Sequence, residues 1–410
     1  MTAPELSLTS LVADPYGGYT RLRADAPVHR LVGPDGLPFW LVTRYPDVRQ
    51  ALADPRLALD KAHAAPGNYR GFALPPALDA NLLNMDPPDH TRIRRLVSRA
   101  FTPRRIAALR APVEKVAEQL LDSMAPAGRA DLLAAYAAPL PITVICDLLG
   151  VPEDDRHDFR AWTDSLITPD PDRPEAARAA VKAMLGFFTG LIERKRTAPG
   201  DDLLSDLIAV RDERGEGEPE VRDVREGEGG DRLSEDELTS LAFLILFAGY
   251  ENTVHLIANA VLALLTHPEQ LAALRAEPEL IDGAVEEFAR FDGPAPLAIR
   301  RFAREPVTIG GVTVPAGETV LLALGSANRD PEQFADPDRL DLRRRENGHL
   351  ALGHGIHYCL GAPLARMETA VALTALLRRF PRLALDAPVE RLRHRPTLRA
   401  RGLLELPVRY

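Results

Sequence analysis

"LGHGIHYCLG", residues Leu352–Gly361, decides how the rest of the chain is read. It carries Cys359, one of only two cysteines in 410 residues, set among Gly353, Gly355, Gly361, His354 and His357. Glycine lets a backbone approach a flat or bulky group closely and adopt positive φ. The sequence then turns helical, "APLARMETAVALTALLRRF", with apolar residues three and four apart. A cysteine just ahead of a helix start has its thiolate favoured by the N–H groups of the first turn and by the helix dipole. An anionic sulfur held in this way suits an iron ligand. Three other readings compete. A core cysteine fits poorly with polar, glycine-rich surroundings. A nucleophile paired with His357 lacks the separately placed base. A zinc site built with His349, His354 and His357 lacks the paired Cys-x-x-Cys spacing.

The composition narrows the class. Hydrophobic residues make up 46% and charged residues 27%, ordinary for a globular protein with a large core. We expect one domain over 1–410, because no linker divides the chain. Cys146 and Cys359 are too few for a disulfide framework, which suggests a reducing compartment. The first residues lack a basic start followed by an apolar run, so no signal peptide is read and a cytoplasmic location is expected. No apolar run of about 18 residues escapes polar interruption, so no membrane span is expected. A net charge of −9 disfavours nucleic acid as a partner. Against that balance, Thr91–Arg110 holds Arg92, Arg94, Arg95, Arg99, Arg104, Arg105 and Arg110 with no acid.

Periodicity predicts a mainly α chain with small β-sheets. Helical spacing covers Ile106–Met124, Ala177–Arg196, Glu235–Thr266, Glu269–Ala276, Pro278–Phe291 and Pro363–Phe380. Strands are expected at Phe39–Thr43, within Val307–Leu324 and in the last residues. Residues 211–232 are charged and glycine-rich without periodicity, and are read as a flexible loop. Ser234 and Glu237 form a capping box that starts the longest helix, and His267-Pro268 ends it. That helix is apolar around most of its circumference, so it should be buried. Gly249 and Glu251 are unfavourable inside it. They point either to a close helix crossing with a structural hydrogen bond, or to a large group beside Gly249 with Glu251 handling protons.

Taken with its other motifs, the chain resembles the cytochrome P450 family. "LGHGIHYCLG" resembles the family's haem loop, with Leu352 in place of the usual Phe. "EEFAR" supplies Glu287 and Arg290, similar to the family's structural E-x-x-R pair. "ANRDPEQFADPDRLDLRR" resembles the segment before the haem loop, and by resemblance Asn328, Arg329 and Asp330 close the E-x-x-R network. "MDPPDHTRIRRLVSRAFTP" resembles the C-helix. The resemblance implies heme b, iron protoporphyrin IX, between the long I-helix and the helix that follows the cysteine loop. It makes Cys359 the iron ligand and His90, Arg94, Arg301 and His357 the partners of the haem propionates. Gly249 and Gly353 would let the backbone approach the ring. Leu83, Leu244, Phe247, Leu297 and Ile299 would line the substrate pocket.

The I-helix pattern of the family is A-G-x-D/E-T-T; here it is Ala248-Gly249-Tyr250-Glu251-Asn252-Thr253. The acid matches, but Asn252 holds the usual alcohol position and Thr253 comes one place late. An amide can hold a water but cannot relay a proton as a hydroxyl does. A π-bulge could bring Thr253 inward, or a substrate hydroxyl could complete the relay; these readings stay open. The resemblance implies a monooxygenase that uses O2 to hydroxylate or epoxidise a hydrophobic small molecule, a polyketide, macrolide or other secondary metabolite. Two cysteines leave no set for an iron–sulfur cluster, so electrons are expected from separate proteins, which the resemblance implies are a ferredoxin and an NAD(P)H-dependent ferredoxin reductase. The arginines of 92–110 are either a docking face for that ferredoxin or a solvated helix face. Phenol coupling, peroxide-driven oxidation and a non-catalytic auxiliary role are the alternatives.

Overall fold

The longest apolar run becomes the longest helix. In the computed structural model, which describes residues 8–33, 35–69, 74–156, 162, 165, 174–212 and 232–410, Glu235–Thr266 is one α-helix throughout. Its 32 residues span about 48 Å. The capping box forms in both directions. The Glu237 N–H donates to Ser234 Oγ at 3.1 Å, and the Ser234 N–H donates to Glu237 Oε2 at 2.8 Å.

The other helices used below are α1 (Pro15–Asp25), α2 (Tyr45–Ala53), α3 (Asp89–Ala100), α4 (Pro103–Met124), α5 (Pro139–Leu149), α6 (Pro174–Thr197) and α7 (Leu203–Asp212). The long helix is α8, followed by α9 (Pro268–Ala276), α10 (Ile281–Asp292) and α11 (Ala362–Arg379). The chain is mainly helical with small sheets, as its periodicity predicts. Helices α1, α2, α5 and α7 were not expected from spacing. The loop expected at 211–232 starts too early, because Arg211 and Asp212 complete α7; residues 213–231 lie outside the described residues.

The chain forms two compact units. The first comprises residues 1–71, 110–141 and 251–410. Its main sheet has five strands in the order β1 (Val28–Val32), β2 (Pro38–Val42), β8 (Thr319–Leu322), β5 (Arg301–Ala303) and β3 (Leu57–Ala58). Strands β2 and β8 run parallel, with Trp40 opposite Val320. One face buries Val42, Val48, Leu52, Val320, Leu322 and Phe334. The hairpin β6 (Val307–Ile309) and β7 (Val312–Val314) turns on Gly310 and Gly311, both at positive φ, where a Cβ would be strained. A third sheet joins β4 (Arg129–Asp131), β10 (Pro407–Arg409) and β9 (Ala384–Leu385).

The second unit comprises residues 72–109 and 142–250 and is helical among its described residues. Phe188 on α6 meets Phe243 on α8 edge-on at 6.4 Å, and Phe243 stacks on Phe247 at 5.4 Å. The Asn81 amide donates to Ser240 Oγ at 3.1 Å. The division falls within α8, between Tyr250 and Glu251. By length and composition α8 could cross a membrane, which the reading of interrupted apolar runs did not anticipate; 67% of its apolar window is buried inside the protein, as in a core helix.

Candidate active site

The cysteine loop owes its shape to its glycines. Gly353 and Gly355 sit at φ 76° and 75°, a region that L side chains rarely adopt. The Gly353 N–H donates to Leu350 O at 2.8 Å and the Cys359 N–H donates to Leu352 O at 2.9 Å, closing the loop on itself. Cys359 is exposed, three residues ahead of α11. Ile356 and Tyr358 beside it are exposed too, apolar surface next to a sulfur. The other cysteine is the contrast. Cys146 is buried in α5, and burial pushes its thiol up to about 12, so it is inert.

Two ion clusters hold that loop, the first buried and the second partly exposed. The first is the E-x-x-R pair. Glu287 and Arg290 have fully buried side chains and meet through Arg290 Nε to Glu287 Oε2 and Nη2 to Oε1, both at 2.8 Å. The other guanidinium protons go to the carbonyls of Asn328, Pro337 and Arg339. Glu287 also accepts from the Asp341 N–H, Arg344 and Asn347. A buried ion pair survives only when its polar atoms are satisfied in this way. Asn328 then accepts the Leu350 N–H on its side chain at 2.7 Å, which carries the network to the loop. Arg329 and Asp330 do not join it, contrary to expectation. Arg329 donates to Phe291 O and lies over the Tyr16 and Phe291 rings, and Asp330 accepts the Tyr45 N–H at the start of α2.

The second cluster uses the neighbouring glutamate, which sequence reasoning passed over. Glu286 meets Arg366 of α11 and His349. His349 Nδ1 accepts the Ala351 N–H, so its proton lies on Nε2, facing Glu286 at 3.1 Å. Burial works to raise the Glu286 carboxyl, but these hydrogen bonds and charges win and hold it at about 2. Arg366 also bonds Tyr358, next to Cys359. The doubled acid in "EEFAR" was the available signal.

The remaining expected residues divide between the units. Cys359, His357, Gly353, Arg301, Glu251, Asn252, Thr253, Leu297 and Ile299 belong to the first; His90, Arg94, Gly249, Leu83, Leu244 and Phe247 belong to the second. Arg301 opens β5 and is buried. His90 is buried in the first turn of α3, with Arg94 one turn on. In the middle of α8, from Leu238 to Val261, the positions left partly or fully exposed are Leu244, Phe247, Ala248, Gly249, Glu251 and Asn252, a stripe on an otherwise buried stretch. Thr253 is buried, and α8 has no π-bulge there. Gly249 answers to a close helix crossing. A Cβ on it would come within 2.8 Å of Ile145 Cδ1 on α5. Ile299, expected to line the substrate pocket, is exposed. Several of the clustered arginines are engaged within the chain, Arg110 with Glu114 among them. Arg92 pairs with Glu237, and Arg105 with Asp206.

These features fit an iron porphyrin. An exposed thiol stands on a loop locked by buried ion pairs, with apolar side chains beside it, and the chemistry of a lone sulfur donor suits iron. Among the described residues no group of three or more His, Cys, Asp or Glu is disposed to hold a metal ion, which leaves the zinc alternative without ligands. Comparison with known proteins agrees. A family profile described as "Cytochrome P450" matches residues 158–394. The chain is 48% identical over 413 residues to the cytochrome P450 monooxygenase PikC of Streptomyces venezuelae, across 99% of this chain and 94% of that one. It is 43% identical over 403 residues to the mycinamicin IV hydroxylase/epoxidase of Micromonospora griseorubida, across 96% and 94%. Among solved structures, the bacillaene polyketide synthase cytochrome P450 PksS of Bacillus subtilis 168 superposes with a TM-score of 0.88 at 36% identity, covering 100% of this chain and 99% of that one. A cysteine loop fastened by an E-x-x-R network, carried on a helical fold shared over the full length of such relatives, makes this chain a member of the cytochrome P450 family and a haem-binding monooxygenase.

Proposed function

We infer that the chain hydroxylates or epoxidises a hydrophobic small molecule of polyketide or macrolide type. The observation that carries this reading is the exposed Cys359 on its positive-φ loop, latched to Glu287–Arg290. Relatives that include a mycinamicin IV hydroxylase/epoxidase and a polyketide synthase P450 support the substrate class. So do the apolar Leu244 and Phe247 on the uncovered stripe of α8, and the exposed Ile299.

Heme b would be held by Cys359 as thiolate, with the cations of Arg94 and Arg301 and the rings of His90 and His357 as donors to its carboxylates. When bound, the haem supplies the activation of O2 and the oxidation of the substrate. The chain supplies orientation and protons. Apolar residues exclude water and select a hydrophobic partner by burial. Glu251, on the same stripe, gives up protons, and Asn252 holds a water or substrate hydroxyl in reach through its amide. Electrons come from a ferredoxin and an NAD(P)H-dependent reductase. The exposed cations near α3 favour an acidic surface, although the engagement of Arg92 and Arg105 leaves fewer of them for docking.

The deciding experiment is the absorption spectrum of the reduced protein under CO. A strongly red-shifted Soret band, absent in Cys359→Ala, is the expected result. A native-like band in that variant overturns Cys359 as the ligand.

A further inference from the structure

His255 lies one helical turn beyond Glu251 on α8, with its side chain 2% exposed and Nε2 3.4 Å from Glu251 Oε1. Apart from that contact, Glu251 Oε1 and both ring nitrogens of His255 are buried without hydrogen-bond partners. Leaving such atoms unmatched is costly, so a seam of them calls for a reason. The seam continues. Asn259, another turn on, donates to Asp292 O and Arg401 O at 2.9 Å each. Its carbonyl oxygen is again buried and unmatched.

The element facing His255 is made to receive it. A Cβ on Gly402 would lie 2.1 Å from His255 Nδ1, so only glycine leaves room for the ring. Gly402 belongs to a hairpin in which the Arg395 N–H donates to Gly402 O and His394 bridges Leu403. His394 is half-buried, with Nε2 inside and unmatched. Burial first, then Arg401 and His255, lower its pKa to about 4, against Asp292 which raises it. At neutral pH His394 is therefore an uncharged ring that can accept a proton on one nitrogen and release one from the other. The charged and titratable groups around His255 are Glu251 on its own helix, His394 and Arg401 on the hairpin, Asp292 at the end of α10, and Tyr16 of α1 bonded to Asp292.

We propose that His255 is the proton carrier behind Glu251, recharged from the solvent side through His394. The imidazolium Nε2–H bond breaks and an O–H bond forms on the Glu251 carboxylate. Neutral imidazole then takes a proton that enters from water at the hairpin. No electron moves. This rests on Glu251 being the proton donor of the proposed function, and His255 acts only through it, by handing it a proton.

The test uses the haem-loaded protein with NADPH, a ferredoxin, its reductase and O2 alone, reading peroxide released per NADPH from pH 6 to 9. The peroxide fraction of the wild type should climb as an imidazole loses its proton. His255→Gln should release several-fold more peroxide at pH 6, with a flat profile. Glu251→Gln should do the same, and the double variant should be no worse than Glu251→Gln. A wild-type profile in His255→Gln, with Glu251→Gln altered, overturns the carrier alone. A wild-type profile in Glu251→Gln overturns the reading of Glu251 itself. An independent readout is the His255 ring resonance in the ligand-free protein. Its titration midpoint should fall by about half a unit or more in Glu251→Gln, because a neighbouring negative charge is lost. An unmoved midpoint overturns the coupling whether or not His255→Gln folds.

Discussion

Single residues carry the buried charges. Replacing Glu287 by Ala leaves the Arg290 guanidinium inside the protein with two donors unmatched. The expected loss is about 3–5 kcal/mol, read from the urea midpoint, together with weaker haem retention. Glu368 on α11 is the opposite kind of acid. It is fully buried, has an unmatched Oε2, and burial alone raises its pKa well above the ordinary carboxylate range. A carboxyl raised in the folded state costs stability as pH climbs above its unfolded value of about 4.3, because the unfolded chain ionises first. Glu368→Gln removes that cost. The melting temperature of this variant should gain on the wild type between pH 5 and pH 8, and a constant difference would show that Glu368 ionises freely.

At the scale of elements, α8 illustrates how a local rule is broken for packing. Gly249 costs helix propensity but lets α8 approach Ile145 of α5. Gly249→Ala pushes only the end of a flexible side chain, so its gain in propensity and loss in packing should nearly cancel, within about 1 kcal/mol. Gly249→Val has no such escape and should lose about 2 kcal/mol or more by thermal melting. Equal melting of the two variants would place the crossing elsewhere. The ends of α8 were legible because capping is local: Ser234 and Glu237 bond each other wherever that helix goes. Helices α5 and α7 were not legible. α5 is so uniformly apolar that it has no face to betray its period, and α7 follows a turn whose Asp202 caps it from outside the periodic run.

For the whole molecule, the Glu286–Arg366–His349 cluster ties α10, α11 and the approach to Cys359 together. The Glu286 carboxyl is held at about 2, so its contribution is complete above about 4.5 and is lost as pH falls from there toward 2. Allowing for its partial exposure, that is about 2 kcal/mol. Arg366→Leu should therefore flatten acid unfolding across that window, and an unchanged slope would assign acid sensitivity to other carboxylates. The order of motifs along the chain determined the family and the mainly helical class, because spacing, capping and glycine conformation act over a few residues. The helix crossing at Gly249 and the distinct duties of Arg329 and Asp330 were decided only in three dimensions. So was the placing of His255 against Gly402, residues far apart in the chain. Burial and hydrogen-bond partners come from segments distant in sequence, and no local pattern records which of two adjacent charged residues will find the partner that makes its burial tolerable.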